Sequence, residues 1–183
     1  MTDFRKNLIT LVSGAGLVQA IPILLTPLLT RLYAPADFGL LATFSAFVAV
    51  LGVIVCGRYE LTAMHAKNKV ELANLLTISL LVTCFSSVGV ALVTFFYSGH
   101  IAALLGKPAL KSWLIWSAVP VFATGIMQVY AIYLAREKKY KDLVKGRVIQ
   151  SFGAGLTGVM IGLTKTGPAG LLAGYVVGLV AAI

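Results

Sequence analysis

The stretch LANLLTISLLVTCFSSVGVALVTFFYSGHIAALLG, residues 72–106, contains 35 consecutive residues without a lysine, arginine, aspartate or glutamate. A transmembrane helix needs about 20 apolar residues to cross roughly 30 Å of hydrocarbon. The stretch therefore predicts one membrane-spanning helix near residues 72–97, followed by a loop that reaches Lys111.

The rest of the chain has the same organisation, with charged residues confined to short segments between apolar runs. Of the 183 residues, 59% are hydrophobic and 11% are charged, whereas a soluble domain has about 25% charged residues. We predict an all-α membrane protein that forms a single six-helix transmembrane lobe over residues 1–183. The predicted helices lie near residues 8–30, 38–56, 72–97, 112–134, 148–163 and 169–182.

The positive charges predict the orientation of the chain. Most of the 15 lysine and arginine residues fall in cytoplasmic segments if the amino terminus is cytoplasmic, and six of them lie within residues 136–147. Cytoplasmic loops of membrane proteins are enriched in such residues. The net charge of +9 is therefore explained by topology and by contact with membrane lipids, and no nucleic-acid partner is predicted.

Small residues recur at every fourth position in the last two predicted helices. They are Ala154, Gly158 and Gly162 in the fifth helix, and Gly170, Gly174 and Gly178 in the sixth. Small residues at this spacing let helix backbones approach closely in a membrane. We expect the two stripes to face each other or the neighbouring helices.

Prolines interrupt two of the predicted helices, at Pro22 and Pro27 in the first and at Pro120 in the fourth. Each proline removes a backbone donor and is expected to kink its helix. Membrane helices tolerate prolines where neighbouring groups or water satisfy the freed carbonyl oxygens.

The residue types that carry catalysis are few. The six acidic residues lie at segment ends or in loops, and the two histidines, His65 and His100, fall on opposite sides of the membrane. A proton relay would need acidic residues in mid-membrane, and no pair of acids lies there. The sequence also contains no phosphate-binding glycine loop. We therefore predict no enzyme activity, no metal site and no cofactor.

Two sets of polar residues remain as candidates for binding. The amides of Gln19, Gln128 and Gln150 lie within apolar helices, so we expect them to face the bundle interior, where they either hydrogen-bond between helices or line a cavity suited to carbohydrate. Three arginines stand at helix ends, where they either reach lipid headgroups or bind phosphate. They are Arg31, Arg58 and Arg147.

Several short motifs carry a resemblance to a known family. They are TRLYAP at 30–35 with DFG at 37–39 after the two prolines of the first helix, GRYE at 57–60, RVIQS at 147–151, and the turn at 167–174. From about Leu8 to the end, their order resembles the amino-terminal half of bacterial polysaccharide and O-antigen flippases, which are grouped with multidrug and toxin extrusion transporters.

The resemblance implies two six-helix lobes around a central cavity. Such a transporter carries an oligosaccharide linked to undecaprenyl diphosphate across the bacterial inner membrane, for the synthesis of lipopolysaccharide, capsule or exopolysaccharide. This chain would be the amino-terminal lobe. Because it ends at Ile183, we expect a truncated chain whose partner is a missing carboxy-terminal lobe or a second copy.

Other functions are compatible with a six-helix lobe. The chain could belong to a multidrug or cation antiporter, although such transporters use acidic residues within the membrane. It could be a non-transporting scaffold of a polysaccharide-assembly complex. A glycosyltransferase or polymerase is the enzymatic alternative, and the shortage of carboxylates disfavours it.

Overall fold

The computed structural model describes residues 2–55, 57, 62–66, 68–164 and 167–183, with residues 2–8 described by their backbone alone. This part of the chain is mostly helical and contains no strand. Its main helices are α1 (Thr2–Leu32), α2 (Pro35–Val55), α3 (Lys69–Leu104), α4 (Lys111–Ile115), α5 (Ala118–Arg136), α6 (Tyr140–Gly162) and α7 (Ala169–Ala181). The predicted all-α class is confirmed.

Four helices in the described part of the chain are long and apolar enough to cross a membrane. They are Ile9–Leu32 within α1, and α2, α3 and α5 in full. The chain is therefore an all-α membrane protein, and the expectation of six spans is confirmed for these four.

The other two predicted spans have apolar parts that are shorter than a membrane is thick, and they stay predictions. Helix α7 has 13 residues and so rises only about 20 Å. Helix α6 has 23 residues, but charged side chains occupy its first two turns. Its apolar part, from Val148 to Gly162, covers only about 22 Å of the roughly 30 Å of hydrocarbon.

The chain divides into two compact units. Unit 1 comprises Met1–Phe38 and Leu134–Ile183 and contains α1, α6 and α7; unit 2 comprises Gly39–Tyr133 and contains α3, α4 and most of α2 and α5. The single lobe over residues 1–183 stays a prediction.

In unit 1 the glycine stripes of α6 and α7 face each other, as the sequence predicts. A β-carbon added to Gly174 would lie 2.6 Å from the carbonyl oxygen of Ala154, and one added to Gly178 would lie 2.6 Å from that of Gln150. Any larger residue would therefore separate the two backbones. The stripes set the distance between α6 and α7.

Tyr33 anchors the end of α1 on this helix pair. Its side chain is buried, its hydroxyl donates a hydrogen bond to the carbonyl oxygen of Gly158 at 2.6 Å, and its ring lies against Gly162 and Gly170. Burial, and to a lesser extent the negative charge of Asp37, raises the pKa of Tyr33 above its usual value of 10.0. The hydroxyl therefore keeps the proton that it donates.

Unit 2 buries hydroxyl-bearing side chains along one face of α3. Three of them, Ser79, Thr83 and Thr94, donate to a carbonyl oxygen one turn earlier in their own helix, as Thr83 does to Ser79 at 2.7 Å, which satisfies these buried donors. The buried hydroxyl of Ser87 has no hydrogen-bond partner among the described residues. Thr83 packs against Gly125 of α5. The missing side chain of Gly125 thus lets α5 approach the hydroxyl face of α3.

Candidate functional site

Unit 1 contains an open cavity of about 270 Å³ between α1, α6 and α7. Two helices supply most of its lining, and α7 adds a single aromatic residue. The lining residues are Val18, Gln19 and Pro22 of α1, Arg147, Gln150, Ser151 and Ala154 of α6, and Tyr175 of α7.

The four residues of α6 belong to one helix face. Positions 147, 150, 151 and 154 are spaced by three or four residues, which places their side chains on the same side of an α-helix. The glycine stripe of α7 holds that helix close to α6, and Tyr175 lies next to Gly174 in the stripe. The close packing of α6 on α7 therefore brings an aromatic ring with a hydroxyl group to the cavity.

A proline in α1 explains how α1 docks on α6. Pro22 has no N–H group, so the carbonyl oxygen of Val18 loses its usual partner four residues ahead. The hydroxyl of Ser151 donates to this oxygen at 3.1 Å. The expectation that a neighbouring group satisfies a carbonyl freed by a proline is thus confirmed for Pro22.

The cavity holds one permanent positive charge, the guanidinium of Arg147. Arg147 and Gln19 are exposed, whereas Gln150 and Tyr175 are half-buried. The nearby carboxylate of Asp142 accepts a hydrogen bond from Lys145 at 3.4 Å. No carboxylate or imidazole is among the lining residues that the structure describes, so the polar groups of the lining are a cation, two amides and two hydroxyls, of which that of Ser151 already donates to Val18.

These groups match two kinds of ligand chemistry. A guanidinium has a planar set of donors that can bind two oxygens of one phosphate. Amides and hydroxyls both donate and accept hydrogen bonds, as sugar hydroxyls require. The cavity therefore suits a ligand that combines a phosphate with a carbohydrate.

The structure brings together three of the six predicted site residues, Gln19, Arg147 and Gln150. Gln128 lies in unit 2, where its side-chain amide donates to the carbonyl oxygen of Gly52 at 3.4 Å. Arg31 is exposed in the last turn of α1 and does not line the cavity, and Arg58 lies outside the described residues. The binding roles of all six stay predictions.

Two polar lining residues are not among the predicted site residues, Ser151 and Tyr175. Ser151 follows directly after Gln150 in the RVIQS motif and lies four residues after Arg147, so helical spacing alone places it on the same face as the arginine. Tyr175 offers a weaker signal, a single hydroxyl in the otherwise apolar helix α7. Only the docking of α7 on α6 shows that this hydroxyl lies near the arginine.

The fold and the cavity define an all-α membrane protein with a cavity lined by polar residues in one of its two units. The sequence model of a family described as polysaccharide biosynthesis protein matches residues 28–183. The chain belongs to this family, and its role is in polysaccharide biosynthesis. Comparisons with curated proteins and with solved structures find no match.

Proposed function

We propose that the chain is the amino-terminal part of a transporter that flips lipid-linked oligosaccharide, with undecaprenyl diphosphate as the lipid, across the bacterial inner membrane. The observation that carries this proposal is the cavity of unit 1, where Arg147 lies beside Gln19 and Gln150. Membership of the polysaccharide biosynthesis family supports the choice of a carbohydrate substrate.

The position of Arg147 along α6 fits the shape of such a substrate. The diphosphate of a lipid-linked sugar joins an apolar chain to a polar oligosaccharide. Arg147 is the last charged residue of α6 before the apolar run from Val148 to Gly162. Its guanidinium thus lies where α6 changes from polar to apolar, and it would hold the diphosphate at that level while amides of the cavity bind the sugar.

In this role the chain is a carrier and not an enzyme, and its amino terminus is cytoplasmic. Flipping requires the cavity to become accessible from each side of the membrane in turn. A second lobe, either on the same polypeptide or in a second copy, would provide the surface against which this lobe moves. Capsule, O-antigen and exopolysaccharide precursors share the diphosphate and are all candidate substrates.

The test compares Arg147→Ala with Lys145→Ala in the full-length protein. Lys145 has the same charge, lies on the same helix and is exposed, but it does not line the cavity. Loss of a hydrogen bond to a charged group weakens binding by about tenfold to a hundredfold. We expect Arg147→Ala to reduce surface polysaccharide and to raise the cellular pool of lipid-linked oligosaccharide, and Lys145→Ala to change neither.

Two results would contradict the proposal. Normal surface polysaccharide with Arg147→Ala, at wild-type protein abundance, would remove the phosphate-binding role of this residue. A fall in lipid-linked oligosaccharide, together with the fall in surface polysaccharide, would place the defect in the synthesis of the lipid-linked sugar and not in its transport. Arg147→Lys keeps the charge without the planar donor set and should give an intermediate phenotype.

A further inference from the structure

Unit 2 has its own cavity, a groove of about 530 Å³ along α2. Two alanines one turn apart, Ala42 and Ala46, leave the space, and Phe47, Val50 and Leu105 form apolar walls. The single polar residue of the lining, Thr43, donates its hydroxyl to the carbonyl oxygen of Gly39 in its own helix at 2.9 Å. The groove therefore suits a hydrocarbon chain and not a polar ligand.

The end of α3 fixes a lysine beside this groove. Gly106 adopts a φ of 64°. Its N–H group donates to the carbonyl oxygen of Ala103 at 3.0 Å, and the N–H group of Lys107 donates to the carbonyl oxygen of Ala102 at 3.0 Å. These two bonds form a Schellman motif, which ends the helix in one defined geometry. Lys107 thus has a fixed backbone position two residues after Leu105 of the groove.

The side chain of Lys107 reaches the end of the groove at α2. Its Nζ lies 3.9 Å from the position that a β-carbon on Gly39 would occupy. Gly39 lies one helical turn before Thr43, and the absence of a side chain there leaves room for the ammonium group. An apolar groove with a cation at one end has the chemical pattern of a site for an anionic amphiphile.

No carboxylate of unit 2, as far as it is described, is near enough to neutralise Lys107. The one that the structure describes is Glu71, at the start of the 36-residue helix α3 and so about 50 Å away along its axis. Lys107 is half-buried as a residue, and no ion pair among the described residues includes it. Its ammonium group is therefore available to an anionic ligand.

We propose that this groove binds an anionic phospholipid, with the phosphate on Lys107 and one acyl chain along α2 from Ala42 to Val50. That segment is about 12 Å long, which accommodates the part of an acyl chain nearest the headgroup. The site lies wholly in unit 2, shares no residue with the Arg147 cavity and does not depend on the transport proposal.

The test is native mass spectrometry of the full-length protein with phosphatidylglycerol and phosphatidylcholine at equal concentration. A lysine near a membrane surface contributes enough to change binding of an anionic lipid by about fivefold. We expect Lys107→Ala to weaken binding of the first phosphatidylglycerol by about that factor and to leave phosphatidylcholine binding unchanged. Ala46→Trp, which fills the groove, should weaken the binding of both lipids.

Lys69→Ala is the matched control, because Lys69 is exposed at the opposite end of α3 and should not affect binding of either lipid. Equal binding of the two lipids by the wild-type protein would overturn the proposal, as would wild-type binding of phosphatidylglycerol by Lys107→Ala. Loss of binding in Lys107→Ala with full binding in Ala46→Trp would also overturn it, because the headgroup would then bind without a chain in the groove. Lys107→Ala decides the question even if Ala46→Trp fails to fold.

Discussion

Substitution of Gly174 by alanine tests whether backbone contact holds α6 and α7 together. The added β-carbon would lie 2.6 Å from the carbonyl oxygen of Ala154 and 3.0 Å from the backbone nitrogen of Gly158. Both are backbone atoms of α6, so no change of side-chain rotamer can relieve the contact. The substitution must move α7 away from α6, and the close contact along the two glycine stripes is lost as a result.

The expected loss of stability follows from the cost of overpacking, which is about 1–3 kcal/mol for an added methyl group. We place Gly174→Ala in the upper half of that range, because only movement of a whole helix relieves the close contact. For a chain of this size, 1 kcal/mol corresponds to a shift in Tm of about 2–4 °C, so the expected fall is about 5–10 °C. The assay is thermal denaturation of the detergent-purified protein, followed by loss of the monodisperse peak in size-exclusion chromatography. Gly174→Leu should prevent accumulation of the folded protein.

The matched control is Gly16→Ala in α1, since a β-carbon at Gly16 meets no atom within 4 Å. Alanine is a better helix former than glycine by about 1 kcal/mol, so this variant should unfold at or above the wild-type temperature. Equal Tm values for Gly16→Ala and Gly174→Ala would refute the argument, because they would show that α6 and α7 do not depend on close backbone contact.

Two further substitutions test the contacts that dock α1 on α6 and α7. Tyr33→Phe removes the hydrogen bond to the carbonyl oxygen of Gly158 but keeps the ring, so it should destabilise the protein by about 1 kcal/mol in the same thermal assay, whereas Tyr130→Phe, at an exposed position, should be neutral. Ser151→Ala should lower the free energy of unfolding by about 1–2 kcal/mol in the wild type. The loss should be smaller in a Pro22→Ala background, because residue 22 then regains an N–H group that can donate to the Val18 carbonyl oxygen. Additive effects in this double-mutant cycle would show that Ser151 does not compensate for the missing N–H group of Pro22.

The features that sequence predicted well are those with a regular spacing. Charge-free runs located the helices because length and hydropathy decide whether a segment can enter a membrane. The stripes around Gly158 and Gly174 indicated the contact between α6 and α7 because only small residues allow such close approach. The last two predicted spans stay predictions, because a run without charge does not show where a helix begins and ends, and α7 has only 13 residues.

The candidate site was predictable only along single helices. Arg147 and Gln150 are three residues apart, so helical geometry alone places them on one face. Gln19 lies in the same cavity only because α1 docks on α6. The close approach of Gly14 in α1 to Val144 in α6 contributes to this docking. Gln128 carries the same kind of amide but lies in unit 2. Residue type therefore selected groups able to bind a sugar, and tertiary packing decided which of them share a cavity.

The link between fold and site is clearest at Pro22. Its ring leaves the carbonyl oxygen of Val18 without a helical partner, and the hydroxyl of Ser151 donates to that oxygen at 3.1 Å. This bond contributes to the register between α1 and α6, together with the contact of Gly14 with Val144, and Ser151 lies directly after Gln150 and one turn after Arg147. The same bond therefore also helps to set how far Gln19 lies from the arginine. A proline that the sequence alone indicates as a defect in α1 thus positions the polar groups of the cavity, and replacing it is expected to alter ligand binding even where the fold survives.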